Sequence, residues 1–294
     1  MEHFSSMPFD LKLVKVFKLL QNCWARAEDQ TRSAAEEMGS AQHENTITNF
    51  LYLHLGREFA ERNQEASFER PFREDIDQEL GPRAAQVASR LSKGLIARVL
   101  YHHGPAEALT VGDLGVVLGK PRVHVSGDTL RCSMRQRGIA AQAKRQDGKG
   151  HTGKLTPHQE DVLRSSHRLD YLAFLLYLYD DYEKWKLSKL AWVMGKGKSV
   201  EQIKHLLSSV ARLHPTRDDP PKGPADEIYS SEQVLRFLSE GRIGTGDASE
   251  IQRYVSPKRI PHFNIEITWR DGTPPGPIHL ATRTIQIQTQ FIRH

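Results

Sequence analysis

The run 171–179 reads Tyr-Leu-Ala-Phe-Leu-Leu-Tyr-Leu-Tyr, nine residues without a charge. A bilayer-spanning helix needs about 20 such residues, so this run is too short to cross a membrane. It also lacks the polar–apolar alternation of a strand with one wet face. A short, continuously apolar segment fits a strand buried on both faces, as in a strand–helix–strand unit. The preceding sequence supplies the rest of that unit. Residues 138–144 are β-like, a Gly, Asp and Lys loop covers 146–153, and a helix is expected over 156–167 with Pro157 in its first turn. Strand, helix and strand in succession make a right-handed crossover between parallel neighbours, so the core is α/β.

The chain has 294 residues and a mass of 33.4 kDa. A chain of that length buries roughly three quarters of its unfolded surface and needs no disulfide or metal staple. With 38% hydrophobic and 26% charged residues it is neither a wholly disordered chain nor a membrane protein. Cys23 and Cys132 form neither a disulfide framework nor a paired zinc motif, and no export signal is visible behind Glu2. The expected home is a reducing cytoplasm.

Elsewhere the periodicity predicts helices over 9–38, from 45–48 onward, and from Pro82 to about His102, where Val87, Leu91, Leu95 and Val99 recur every four residues across Gly94. His102 and His103 then read as a helix C-terminus. Strands are expected over 109–118, 129–134 and 138–144, and helices over 183–194 and 199–213. Asp218 to Pro224 is the clearest linker. It divides a domain of residues 1–217 from a segment 225–294 with a short helix at 231–238 and β-like runs at 262–269 and 278–291. That segment is either a small appendage or the completion of the main sheet.

Charge is unevenly spread. Residues 58–79 hold eight acids and three bases, whereas 120–154 hold nine bases and two acids, in a chain of net charge +5. Charge runs are ordinarily solvated faces, but the basic one surrounds a pattern with chemical content. Gln142 and Lys144 close one β-like run and point to the same face, and Asp113 stands near the middle of another, 109–118. A carboxylate and an amide carbonyl suit Mg²⁺ or Mn²⁺, which keep several waters. An adjacent ammonium can hold an attacking water or offset charge on a phosphate.

These residues resemble the PD-(D/E)XK, or restriction-endonuclease-like, nuclease superfamily in a QxK variant. The resemblance rests on Asp113, on Gln142-Ala143-Lys144, and on Glu44 at a helix entrance, and covers roughly residues 40–180. It implies a three-layer core with a mixed central sheet flanked by helices, preceded by an N-terminal helical segment and followed by a small α+β extension. It implies a Mg²⁺- or Mn²⁺-dependent nuclease acting on DNA, with RNA left open, in prokaryotic restriction, repair or defence. Asp113 and Gln142 would be metal ligands, Glu44 a third, and Lys144 the group assisting the nucleophile. Gln142 stands where most members carry an acid, and no proline precedes Asp113.

Arg145, Lys149 and Lys154 flank or follow a loop too polar to be buried and are candidate phosphate contacts. Two other readings are carried forward. One is an inactive nucleic-acid-binding module on the same scaffold, and the other an adaptor or homo-oligomer using its C-terminal segment. His151, His158 and His167 lack metal-site spacing, and no phosphate-cradling glycine loop is present.

Overall fold

The computed structural model describes residues 12–38, 44–80, 85–102, 114–126, 129–146, 155, 157–165, 172–181, 186–210, 228–255 and 262–279. In chain order the elements are α1 (Val14–Glu37), α2 (Glu44–Gln64), α3 (Glu69–Leu80), α4 (Ala85–Ser92), β1 (Leu95–His102), β2 (Leu114–Ser126) and β3 (Thr129–Gln146). Then come α5 (Pro157–Ser165), β4 (Leu172–Asp181), β5 (Lys186–Met194), α6 (Val200–Val210), β6 (Ile228–Tyr229), α7 (Ser231–Glu240), a helical turn ending at Val255, β7 (His262–Trp269) and β8 (Ile278–His279). The strands form one mixed sheet in the order β1-β7-β2-β3-β4-β5-β6, with β8 on β3.

β4 shows why the sheet has helices on both faces. Leu172, Phe174, Leu176 and Leu178 enter one core with Leu163 of α5 and Val200, Ile203 and Leu207 of α6. Ala173, Leu175, Tyr177 and Tyr179 enter the other, with residues of α1, α2 and α7. Each large apolar side chain so buried stabilises by roughly 1.5–3 kcal/mol. β3 and β4 pair in parallel through α5, as the apolar run requires. Among the described residues no helix is long and apolar enough to cross a membrane.

Two expected helices are strands. The segment from Pro82 divides into α4 and β1, because Gly94 adopts φ +78° and turns the chain out of the helix. Beyond it Leu95, Ala97 and Val99 are buried in alternation. A repeat of four is also two repeats of two, so Leu95 and Val99 fitted both patterns. His102 therefore ends a strand. Residues 186–194 form β5, which buries Trp192 and Met194 on one face and Ala191 and Val193 on the other. The two β-like runs 129–134 and 138–144 are one long strand, and α3 was not anticipated.

The acidic run is only partly a solvated face. Asp75 of α3 accepts hydrogen bonds from the backbone N–H of Lys15 (3.0 Å) and Val16 (3.1 Å), and Glu79 accepts from those of Lys12 (2.9 Å) and Leu13 (3.4 Å). α1 begins without a cap of its own, with Leu13 at φ 54°, so carboxylates from another helix satisfy its first amides.

The segment after the linker completes the main sheet. β7 pairs antiparallel with β1 and parallel with β2, so it is an interior strand that cannot be detached without opening the sheet. The linker itself and residues 280–294 lie outside the described residues.

α7 is joined to α1 by a buried carboxyl. Glu28 accepts from Trp24 Nε1 (2.7 Å) and from the Ser231 hydroxyl, which itself accepts from Trp192 Nε1 (2.7 Å). Burial pushes the Glu28 carboxyl up to about 7; its hydrogen bonds and Arg32 only partly oppose this. The unfolded carboxyl ionises near 4.5, as an ordinary glutamate does. Between those values the unfolded state gains from ionising and the folded state does not. The stability Glu28 contributes is thus complete below about 4.5 and lost as pH rises through about 7. At 1.36 kcal/mol per unit the loss is about 3 kcal/mol. Thermal melting of Glu28→Gln should show a flatter profile than wild type between pH 5 and 8, with the variant the more stable protein at pH 8. Parallel profiles would place that carboxyl's titration elsewhere.

Candidate active site on strand β3

β3 lies between β2 and β4, and its Gln142 pairs with Phe174 while Lys144 pairs with Leu176. Alternation sends Gln142 and Lys144 to the face occupied by Ala140, Phe174 and Leu176, roughly 7 Å apart along the strand. Gln142 is completely buried, and among the described residues neither Oε1 nor Nε2 has a hydrogen-bond partner. Leaving such a group unsatisfied costs about 1–3 kcal/mol, so a buried carboxamide on an otherwise apolar face needs an explanation beyond packing. Lys144 is half-buried and engaged in an interaction of its own.

Asp113 lies outside the described residues. It is covalently next to Leu114, whose partner across the β2–β3 ladder is Ala141, the neighbour of Gln142. Glu44 is the first residue of α2, and its side chain is outside the described set. One turn on, the Thr48 hydroxyl lies 2.6 Å from the Tyr177 hydroxyl, on the sheet face opposite to Gln142. α2 thus belongs to the other layer. Arg145 is within β3 with its side chain undescribed, and Lys149 and Lys154 are outside the described residues.

Among the described residues no group of three His, Cys, Asp or Glu side chains could hold a metal ion. Glu266 of β7 is on the Gln142 face, but it is level with Gln136, roughly 20 Å away along β3. Arg98 neutralises it, at 2.6 and 2.8 Å. Among the described residues the Gln142 carbonyl oxygen is a hard oxygen without a hydrogen-bond partner, the type of atom that Mg²⁺ or Mn²⁺ takes.

β3 is anchored just before this position by contacts that sequence reasoning missed. Gly138 and Thr245 exchange two backbone hydrogen bonds of 2.9 Å. A Cβ on Gly138 would stand 2.9 Å from Val255 Cγ1, and one on Gly244, at φ +70°, 2.5 Å from the Gly138 carbonyl oxygen. Arg137 donates to the carbonyls of Ile243 (3.0 Å) and Gly244 (2.9 Å). The signal in the sequence was the pair of glycines, each a point where backbone comes close to backbone.

Comparison of the chain with protein-family models, with curated proteins and with solved structures finds no match.

Proposed function

We propose that the chain is a metal-dependent nuclease hydrolysing DNA phosphodiesters on a restriction-endonuclease-like core. The observation that carries this reading is the orphaned Gln142 carboxamide, two residues before Lys144 on one face of β3. The surrounding topology supports it: an antiparallel β2–β3 hairpin, then α5, then β4 parallel to β3. Gln142 Oε1 and the Asp113 carboxylate would hold Mg²⁺ or Mn²⁺. The ion supplies Lewis acidity and a more acidic water. Lys144 orients the attacking water and offsets negative charge on the phosphate as the transition state forms. The apolar neighbours Ala140, Phe174 and Leu176 exclude bulk solvent from one side and strengthen those interactions. Arg145, Lys149 and Lys154 hold flanking phosphates. RNA is the alternative polymer, and restriction, repair or defence the setting.

A second reading has an observation of its own. Gln142 is neutral and wholly enclosed, as suits a nucleic-acid-binding module that has lost cleavage. Incubating the protein with supercoiled plasmid, with Mg²⁺, with Mn²⁺ and with chelator, separates the two. Nicking or linearisation that needs the metal is the expected result. Binding without cleavage at millimolar metal would leave the binding module.

A further inference from the structure

The β2–β3 hairpin runs well past its neighbours. β7 pairs with β2 only over Gly115–Gly119, and β4 with β3 only over Ala140–Gln146. The 13 residues of β2 and 18 of β3 include Lys120, Arg122, Arg131, Arg135 and Arg137 and not one Asp or Glu. Alternation puts these five cations and His124 on a single face, with Lys120 opposite Arg135, His124 opposite Arg131, and Leu118 opposite Arg137. The other face carries Val123, Leu130, Cys132 and Met134.

Like charges directly across a ladder repel, and Lys120 and Arg135 are such a pair. Three of the cations also lie against other parts of the fold. Lys120, Arg135 and Arg137 line a shallow cleft against Leu238 and Ser239 of α7. Arg137 is fixed by two backbone carbonyls, and the Lys120 ammonium sits 5.6 Å from the centre of the Phe17 ring. Burial and then the charge of Arg135 make Arg137 easier to deprotonate than a free arginine, a repulsion that a bound anion would relieve. Side chains on one face of a strand recur roughly every 6.8 Å, twice the 3.4 Å rise per nucleotide. A regular cationic row of that spacing suits the regular anionic row of a nucleic-acid backbone better than the irregular carboxylates of an acidic protein.

We propose that this hairpin face grips the sugar-phosphate backbone of a nucleic acid, as a contact surface additional to the Gln142–Lys144 site. It occupies the opposite face of β3, and its nearest cation, Arg137, is five residues, roughly 17 Å, from Gln142. The choice of polymer rests on the nuclease reading; the surface itself does not.

The test is fluorescence anisotropy of a labelled 30-base-pair duplex of arbitrary sequence, in chelator so that nothing is cleaved, from 50 to 300 mM salt. Arg122→Glu/Arg131→Glu should weaken binding at least tenfold and lower the log–log salt slope by about two, one per lost phosphate contact. Arg131→Gln, a neutral change at an exposed position, should lower it by about one if the double variant fails to fold. Unchanged affinity and slope in a folded variant would overturn the proposal, as would wild-type binding to a poly-glutamate peptide but not to duplex. Hairpin-dependent binding in a protein that never cleaves plasmid supports this surface while removing the nuclease reading.

Discussion

Lys144→Ala is expected to leave a folded protein whose metal-dependent plasmid cleavage falls by roughly 10²–10³-fold, the usual loss when one group aimed at developing charge is removed. The fold should tolerate the change because β3 is held by its ladders to β2 and β4 and by the Gly138–Thr245 bridge, all made by the backbone. Lys144→Arg should recover only part of the rate, since a planar guanidinium is not a compact point charge on a flexible stem. Asp113→Ala should be at least as damaging, because it removes the carboxylate of the metal site. Single-turnover cleavage by each variant, alongside its melting curve, checks both. Wild-type rates in either one would end the assignment of that residue.

What was legible in the sequence followed from how many physical explanations a pattern admits. The run 171–179 admits essentially one, and β4 with its two cores is the result. Residues 262–269 alternate cleanly, and β7 has those bounds, but no local pattern could say that it inserts between β1 and β2. Insertion is decided by pairing between residues more than 140 positions apart. Residues 82–102 and 183–194 misled because Leu, Ala and Lys favour helix locally, while burial on two faces of a sheet favours strand and outweighs propensity. The acidic run concealed two helix caps, since a carboxylate that satisfies another helix's first amides has the same composition as one in water. For the candidate site, alternation alone placed Gln142 beside Lys144. That the carboxamide is buried without a partner depends on what packs above it, which comes from residues distant in sequence.

Gln142 is where stability and chemistry should pull apart most visibly. If its carboxamide is orphaned because its partner is an ion, replacing it with an apolar group removes an unsatisfied donor and acceptor from the core. Gln142→Leu should then stabilise the metal-free protein by about 1–3 kcal/mol, a rise of roughly 2–6 °C in melting temperature, while abolishing cleavage and any stabilisation by metal. Gln142→Met, unbranched like glutamine, separates this effect from a change of shape. Gln142→Glu should do the opposite. A carboxylate enclosed on an apolar face costs free energy until a cation neutralises it, so that variant should melt lower than wild type in chelator and gain more on adding Mg²⁺ or Mn²⁺. Its midpoint for metal should be lower as well, since a charged oxygen binds a hard cation more tightly than an amide carbonyl. Melting curves of the four proteins against metal concentration decide the matter. If Gln142→Leu and Gln142→Met both melt below wild type in chelator, the carboxamide has partners of its own. If none of the four responds to millimolar metal, β3 carries no metal site.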